Sequence, residues 1–326
     1  MRTPLKYLRS QLSYISNRWR RHRLQRALGP WFWSHPSVVP STSSYAGACV
    51  IFSMDRAMQL HALLSTYLEK MNRPVPAHVL YRATTAAHAA SYKEMFHLFP
   101  NSMIRPVQQP DRASFKPALL QILEGLEAPK VFFLVDDILF VEQVNSEDFL
   151  SINPRTHIAS LRLGSHLTRC YTEDCPQPHP TLEPMESEGE VKLRWRWSEG
   201  RYDWGYPLSV DGHLFDTEEM RRLSSYLSYS SPNTFESALQ LALPFFRNRW
   251  GLCYPKSKIV NVPCNKVHHD NQNRHGELHQ DQLLALWNEG KQINYRSIYG
   301  VMNQSAHQEL SLSFVHRVLS VNRPSL

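Results

Sequence analysis

The sequence has little glycine, no long apolar run and no closely spaced pair of cysteines. Glycine supplies 12 of the 326 residues, which disfavours Gly-rich phosphate loops. No apolar run approaches the roughly 18 residues of a transmembrane helix. The five cysteines are odd in number and lack CxxC spacing, so we expect neither a disulfide scaffold nor a zinc knuckle. A reducing, cytoplasmic compartment is the default for such a chain.

Acidic residues are missing from the first 54 positions. The first is Asp55, whereas residues 1–30 contain eight Lys and Arg. The net charge of +7 therefore belongs to this leader, because the remainder has 28 basic residues against 29 acidic ones. A body so close to neutral does not indicate binding to nucleic acid.

The basic leader has three interpretations. Its Arg residues alternate with apolar ones such as Leu8, Ile15 and Trp19, which suits an amphipathic helix on an anionic membrane surface, here the inner face of the membrane. It also suits a solvated helix packed on the body, or an organelle transit peptide. We assign 1–45 to this leader and a Pro/Ser-rich linker, and 46–326 to one domain.

Strand-like and helix-like patterns alternate from residue 48 onward. Strands are predicted over 49–52, 77–81, 102–107 and 130–135, and helices over 60–68, 84–99 and 114–126, with Ser53 capping the first helix. The second half is less regular, with strands over 158–163 and 191–197 and a helix over 281–289 that Gly290 ends. This order predicts an α/β fold: a Rossmann-like, mostly parallel sheet flanked by helices, followed by a mixed α+β half.

Two adjacent carboxylates, Asp136 and Asp137, directly follow the most apolar predicted strand. Ligands of open parallel sheets bind at the carboxyl ends of central strands. Oxygen ligands at such an edge suit Mg²⁺ or Mn²⁺, which also use substrate phosphates. The structural alternative is that one Asp caps a turn and the other pairs with an Arg.

Aromatic and acidic residues are dense between positions 195 and 213. The relevant residues are Trp195, Trp197, Tyr202, Asp203, Trp204, Tyr206, Asp211 and His213. Aromatic faces and carboxylates together suit sugar binding. Core packing is the alternative, and we favour it for at least one of Trp195 and Trp197.

Two further segments contain ionisable candidates. Glu236 opens a predicted helix after the loop around Asn233, where it can act as a general base or merely balance the helix dipole. The histidine-rich stretch 268–279 lacks zinc-site spacing, and we expect a solvated loop. His307 is a candidate third metal ligand, with a surface histidine as the alternative.

Together these residues resemble nucleotide-sugar-dependent glycosyltransferases of the GT-A fold. The matching segments are Val50–Arg56, Val79–Arg82, Phe133–Asp137, Asp203–Pro207, Asp211–His213 and Asn233–Glu236. They resemble a group of bacterial and viral glycosyltransferase-like proteins over about residues 46–310. The Asp-Asp pair departs from the commoner Asp-any-Asp pattern, because Ile138 follows it.

The resemblance implies a specific role for each of these residues. Ser53, Arg56, Tyr81 and Arg82 would hold the nucleotide of a UDP- or GDP-type donor, with Lys116 near the phosphates. Asp136 would lie near the ribose or the metal, Asp137 would bind Mn²⁺ or Mg²⁺, and His307 would be the third ligand. Asp203, Trp204, Tyr206 and His213 would face the acceptor. An inverting reaction would use Glu236 or Asp211 as its base, whereas a retaining reaction would require no such base.

We therefore expect a metal-dependent hexosyltransferase of cell-surface polysaccharide synthesis. Its acceptor would be a saccharide or a lipid-linked sugar, and the basic leader would place the enzyme peripherally on the membrane. The alternatives are a nucleotidyltransferase that makes nucleotide sugars and a non-catalytic sugar-binding or membrane-associated protein on the same fold.

Overall fold

The computed structural model describes residues 4–34, 43–100, 102–185, 189–264 and 279–317, with side chains from residue 16 onward. Its helices are α1 Pro4–Ser34, α2 Ala57–Lys70, α3 Ala86–His97, α4 Phe115–Gly125, α5 Ser146–Ser151, α6 Thr217–Tyr226, α7 Pro232–Leu239, α8 Leu243–Phe246 and α9 Gln280–Asn288. Its strands are β1 Ala48–Met54, β2 Ala77–Arg82, β3 Ile104–Gln108, β4 Lys130–Val135, β5 Ile138–Phe140, β6 His157–Gly164, β7 Arg169–Cys170, β8 Cys175–Pro176, β9 Glu183–Met185, β10 Lys192–Arg196, β11 Leu214–Asp216, β12 Trp250–Tyr254, β13 Ile259–Asn261, β14 Lys291–Ile293 and β15 Phe314–His316.

The central sheet has five strands in the order β11-β4-β1-β2-β3. Strands β4, β1, β2 and β3 are parallel, and β11 runs antiparallel to β4. The chain moves from β1 outward through β2 and β3, then returns to place β4 on the other side of β1. The strand order therefore reverses between β1 and β4, which is where open α/β sheets bind ligands.

Apolar side chains cover both faces of this sheet, which is why β1 and β4 read as continuous apolar runs. Helices α2, α3 and α9 pack on one face, where Ile51, Leu63 and Trp287 are buried. On the other face, α4, α6 and α7 pack with Phe133 and Phe235. The predicted mostly parallel sheet flanked by helices is confirmed.

The second half of the chain builds a smaller mixed sheet in the order β6-β12-β10-β9. Strand β6 is parallel to β12, whereas β10 runs antiparallel to both of its neighbours. Trp195 and Trp197 are both buried beside it, so core packing accounts for both. The mixed α+β character predicted for this half is confirmed.

Helix α1 contacts the body through its last turns. Leu24 is buried, and the ring of Phe32 stacks on Phe245 of α8 at 4.2 Å between centroids. Part of the Pro/Ser-rich linker predicted within residues 1–45 is helical, because α1 continues to Ser34 and Phe32 docks as part of it. No helix in the described ranges has both the length and the apolar character needed to cross a bilayer.

Ser53 does not cap helix α2. Strand β1 continues to Met54, Asp55 adopts a φ of 55°, and the helix starts at Ala57 after Arg56, which makes no side-chain cap bond. The Ser53 hydroxyl instead lies 2.8 Å from an Asp136 oxygen. A tertiary contact across the sheet therefore replaces the local cap that the sequence suggested.

Candidate functional site

The candidate site lies at the carboxyl ends of β1 and β4, where the strand order reverses. The Asp136 amide donates to the Phe52 carbonyl at 3.1 Å, so the parallel ladder brings the residues after both strands together. The Gly212 amide donates to the Phe133 carbonyl at 2.7 Å, which ties a distant loop to β4. Residues from three segments therefore meet at one edge of the sheet.

Asp136 is buried and fully hydrogen-bonded. Its Oδ1 accepts from Arg56 Nη1 at 2.9 Å, and its Oδ2 accepts from Ser53 Oγ at 2.8 Å and from the Met54 amide at 3.2 Å. Ser53 Oγ also lies 2.6 Å from the hydroxyl of Tyr92 in α3. Since each Asp136 oxygen already has a partner, this carboxylate fixes the ends of β1 and β4 relative to each other.

Asp137 is less completely satisfied. Its Oδ2 lies 3.3 Å from Arg56 Nη1, whereas its Oδ1 is buried without a hydrogen-bond partner in the described part of the chain. Burial raises the pKa of Asp137 to about 6, and the carboxylates of Asp136 and Asp211 add to the effect although Arg56 opposes it. An unpaired buried carboxylate oxygen is costly, which makes Oδ1 the best candidate for contact with a bound ligand or cation.

A small, partly open pocket adjoins the two carboxylates. Gln59, Asp136, Asp137 and Cys264 form its polar wall, and apolar side chains including Leu139 line the rest. The Gln59 side-chain amide nitrogen is also buried without a partner among the described residues. Within the described part of the chain, this pocket therefore presents one unpaired acceptor, Asp137 Oδ1, and one unpaired donor, Gln59 Nε2.

Asp211 is the centre of a second charged network. It lies 3.1 Å from Arg162 Nη1 and 3.5 Å from His307 Nε2, while Arg162 Nη2 lies 2.8 Å from Asp203 Oδ1. Burial opposes its charge, but His307 and Arg162 hold the pKa of Asp211 well below its ordinary value. Burial lowers the pKa of His307, yet Asp211 raises it further, to above its ordinary value. Asp211 is therefore ionised, and His307 is its partner.

Glu236 lies in the first turns of α7, whose start is set by a capping box between Ser231 and Thr234. Its Oε1 accepts from Ser209 Oγ at 2.8 Å and from the Val210 amide at 3.1 Å. Burial raises the pKa of Glu236 to about 7, and the nearby Asp211 charge adds to it. Such a carboxyl group changes protonation near neutral pH, as a general base must.

Tyr81 and Arg82 stand at the end of β2, opposite Ser53 and Met54 of β1. The Tyr81 ring packs on Tyr92 at 4.8 Å between centroids. The Arg82 carbonyl accepts from the Asp55 amide at 3.1 Å. Both residues share the sheet edge with the two carboxylates.

Three predicted site residues have other contacts. Lys116 Nζ donates to the carbonyls of Ser225, in the last turn of α6, and Leu227, which follows α6. Trp204 is fully buried with its ring 4.9 Å from Trp195, and His213 is fully buried with Nδ1 2.8 Å from the Pro207 carbonyl. The structure thus does not bring these three side chains to the open edge of the sheet.

Burial also lowers the pKa of His213 to about 3, with help from Arg162. This imidazole is therefore neutral at physiological pH. Tyr206 is half-buried, and burial raises its pKa, with the charges of Glu236 and Asp211 adding to the effect. Of the predicted acceptor residues, Tyr206 and Asp203 lie in the neighbourhood of the charged network.

The predicted metal ligands do not form a closed cage. Among the described residues, no three His, Cys, Asp or Glu side chains converge as a metal site. Asp136 is occupied by hydrogen bonds and His307 faces Asp211, which leaves Asp137 Oδ1. The donor set fits a cation held by one carboxylate together with ligand phosphates, a mode that Mg²⁺ commonly adopts. Of the histidine-rich stretch 268–279, residues 268–278 lie outside the described residues, and His279 is the N-cap of α9.

Two residues of the charged site, Arg162 and Tyr92, were not among those predicted from the sequence. Arg162 interrupts the otherwise apolar strand β6 and is 2% exposed, and a charge in a buried strand is a signal of a paired group. Tyr92 gave no such signal, because its hydroxyl meets Ser53 and the Arg56 amide only through the packing of α3 on the sheet.

No protein-family model matches the chain, and the comparison with curated proteins finds no relative. The comparison with solved structures returns several glycosyltransferases. A mannosyltransferase from Pyrobaculum calidifontis, solved with GDP-Man and Mn²⁺, is 14% identical with a TM-score of 0.41, over 78% of this chain and 67% of that one. Residues 1–349 of S. aureus TarS, solved with UDP-GlcNAc, are 12% identical with a TM-score of 0.44, over 69% of this chain and 60% of that one.

A 4-diphosphocytidyl-2C-methyl-D-erythritol synthase from Anaerococcus prevotii is also similar, at 12% identity and a TM-score of 0.37, over 74% of this chain and 95% of that one. This chain spans about 60% of the TarS fragment and 36% of a longer TarS structure. Glycosyltransferases of low sequence identity thus stand among the structures to which this α/β chain is similar.

Proposed function

We propose that this protein is a glycosyltransferase that moves a sugar from a nucleoside diphosphate donor to a hydroxyl group of an acceptor. The observation that carries this proposal is the carboxylate pair at the β1/β4 edge, where Asp137 Oδ1 is buried without a partner among the described residues. Open α/β sheets bind ligands at this edge. The resemblance of the surrounding sequence segments to GT-A enzymes supports the choice of a nucleotide sugar.

The donor would lie across the ends of β1 and β2. Tyr81 and Arg82 offer a ring and a guanidinium for the nucleoside, and Arg56 offers a guanidinium for the diphosphate. Asp136 would hold Arg56 and Ser53 in position through its hydrogen bonds. Asp137 Oδ1 would be the protein ligand of Mn²⁺ or Mg²⁺, which when bound would neutralise charge on the leaving diphosphate.

Glu236 is the proposed base of an inverting reaction. The acceptor oxygen forms a bond to the anomeric carbon, the bond from that carbon to the diphosphate oxygen breaks, and the acceptor proton passes to the Glu236 carboxylate. A pKa of about 7 suits both accepting and releasing this proton. Asp211 is the alternative base, although its low pKa makes it a weaker one. Asp203 and Tyr206 would face the acceptor.

A thermal-shift experiment tests the donor without knowledge of the acceptor. Wild-type protein is melted with UDP, GDP and their sugars, each with and without Mn²⁺, because a ligand of the folded state raises Tm by mass action. We expect one nucleotide to raise Tm in a metal-dependent way, and Asp137→Asn to lose that dependence while still melting cooperatively. No shift with any nucleotide would contradict the proposal and favour a binding protein. Release of pyrophosphate from a nucleoside triphosphate and a sugar phosphate would favour the nucleotidyltransferase.

The acceptor is proposed to lie at a membrane surface, as in the synthesis of a cell-surface polysaccharide. The exposed turns of α1 over residues 16–23 carry Arg18, Arg20, Arg21 and Arg23 around Trp19, which is 69% exposed. Such a surface suits anionic lipid headgroups. Changing these four arginines to serine should abolish co-sedimentation with anionic vesicles while the buried Leu24 keeps the helix docked, and unchanged co-sedimentation would refute the membrane role.

A further inference from the structure

Arg56 stands between the two carboxylates of the candidate site. A single nitrogen, Nη1, lies 2.9 Å from Asp136 Oδ1 and 3.3 Å from Asp137 Oδ2. The Arg56 side chain is 10% exposed, and its backbone amide donates to the buried Tyr92 hydroxyl at 3.1 Å. The guanidinium is therefore an anchored, buried positive charge that bridges both carboxylates.

This bridge occupies the position that a cation shared by Asp136 and Asp137 would take. Like charges a few ångströms apart repel strongly where water is excluded. A divalent ion at Asp137 Oδ1 would lie close to the guanidinium on Oδ2 of the same carboxylate, and the single positive charge of Arg56 already offsets one of the two carboxylate charges. The arrangement thus disfavours binding of a cation alone.

Arg56 also borders a second pocket. Asp55, Gln59 and His88 line this pocket together with Arg56. Gln59 lines both pockets, so the second pocket adjoins the first. A diphosphate bound between the two pockets would accept two parallel hydrogen bonds from the planar Arg56 guanidinium, which is the contact that arginine prefers with phosphate.

We propose that Arg56 closes the cation position in the ligand-free protein and transfers to the donor diphosphate when the cation enters. Cation and nucleotide then bind together, each raising the affinity for the other by the same factor. This inference rests on the proposed function, because it takes the diphosphate to be the ligand that receives the guanidinium.

The test measures Mn²⁺ binding directly, by loss of the paramagnetic resonance signal of the free aqueous ion. Wild-type protein titrated with Mn²⁺ alone should bind it at least tenfold more weakly than in the presence of saturating UDP or GDP. Arg56→Met should bind Mn²⁺ alone at least tenfold more tightly than wild type, because both carboxylates become available. The same variant should bind UDP or GDP more weakly.

Arg155→Met is the matched control. Arg155 Nε pairs with Asp216 at 2.8 Å, and Asp216 stands opposite Lys130 at the amino end of β4, away from the site. This variant should bind Mn²⁺ as wild type does. Equal Mn²⁺ affinity of wild type with and without nucleotide overturns the inference, as does a folded Arg56→Met variant without the gain.

Where Arg56→Met fails to fold, the wild-type comparison can still overturn the inference. If no nucleotide binds, the proposed function fails, and the affinity for Mn²⁺ alone still tests the closed position. Micromolar binding would overturn that position, and tighter binding of Mn²⁺ by a folded Arg56→Met variant would support it. If a nucleotide binds and Mn²⁺ affinity does not respond, the inference fails and the proposed function stands.

Discussion

Replacing Glu236 with glutamine should stabilise the protein above neutral pH, although the same change should abolish sugar transfer. Glutamine keeps an oxygen that can accept from Ser209 Oγ and the Val210 amide, as Glu236 Oε1 does at 2.8 and 3.1 Å. What it removes is a negative charge that burial and the neighbouring Asp211 both disfavour. The variant therefore separates the cost of a buried charge from the hydrogen bonds around it.

The magnitude follows from the pKa of Glu236, which rises from 4.5 to about 7 on folding. Because the pKa is raised in the folded state, the charged carboxyl group lowers the free energy of unfolding. This cost is absent below pH 4.5 and complete above about pH 7. At 1.36 kcal/mol per pKa unit, the difference between these two pKa values lowers the free energy of unfolding by at most about 3 kcal/mol.

The assay is urea unfolding of wild type and Glu236→Gln at pH 5 and pH 8. We expect similar stability at pH 5 and a variant more stable by up to about 3 kcal/mol at pH 8. Glu219→Gln is the control, because Glu219 receives two hydrogen bonds from Arg249, at 2.8 and 2.6 Å. That change should instead destabilise by about 3 kcal/mol, since it leaves a buried arginine unpaired. Equal pH dependence of wild type and Glu236→Gln would refute the reasoning.

Three other substitutions separate structural from functional roles. Lys116→Met should leave nucleotide-induced thermal shifts unchanged, because Nζ is bonded to two backbone carbonyls near α6; a lost shift would place Lys116 at the donor. Trp204→Ala should lower the free energy of unfolding in urea by about 3–5 kcal/mol, because the ring is fully buried; a smaller loss with weakened acceptor binding would indicate a sugar contact. Gly212→Ala should lower the free energy of unfolding by about 1 kcal/mol or more. The φ of Gly212 is 75°, and the new Cβ would lie 2.5 Å from Ile259 Cδ1. A calorimetric Tm equal to that of wild type would contradict this prediction.

Much of the first half of the fold could be predicted from the sequence, because its signals are local. The strand over 130–135 was predicted with the bounds that the structure gives to β4, since a strand buried on both faces reads as an uninterrupted apolar run. The helix over 281–289 differs from α9 by one residue at each end, and Gly290 follows it with a φ of 78°. Glycine adopts this left-handed conformation at little cost.

The sequence by itself also determined that Asp136 and Asp137 follow a central strand, and hence lie at the edge where α/β sheets bind ligands. Only the tertiary structure decided what each carboxylate does. Arg56 lies 80 residues before Asp136 in the chain, and the parallel pairing of β1 with β4 brings them together. His307 reaches Asp211 because the segment around it pairs with Asn261 of β13. Contacts between such distant segments depend on strand order and helix packing, which the spacing of residues along the chain does not encode.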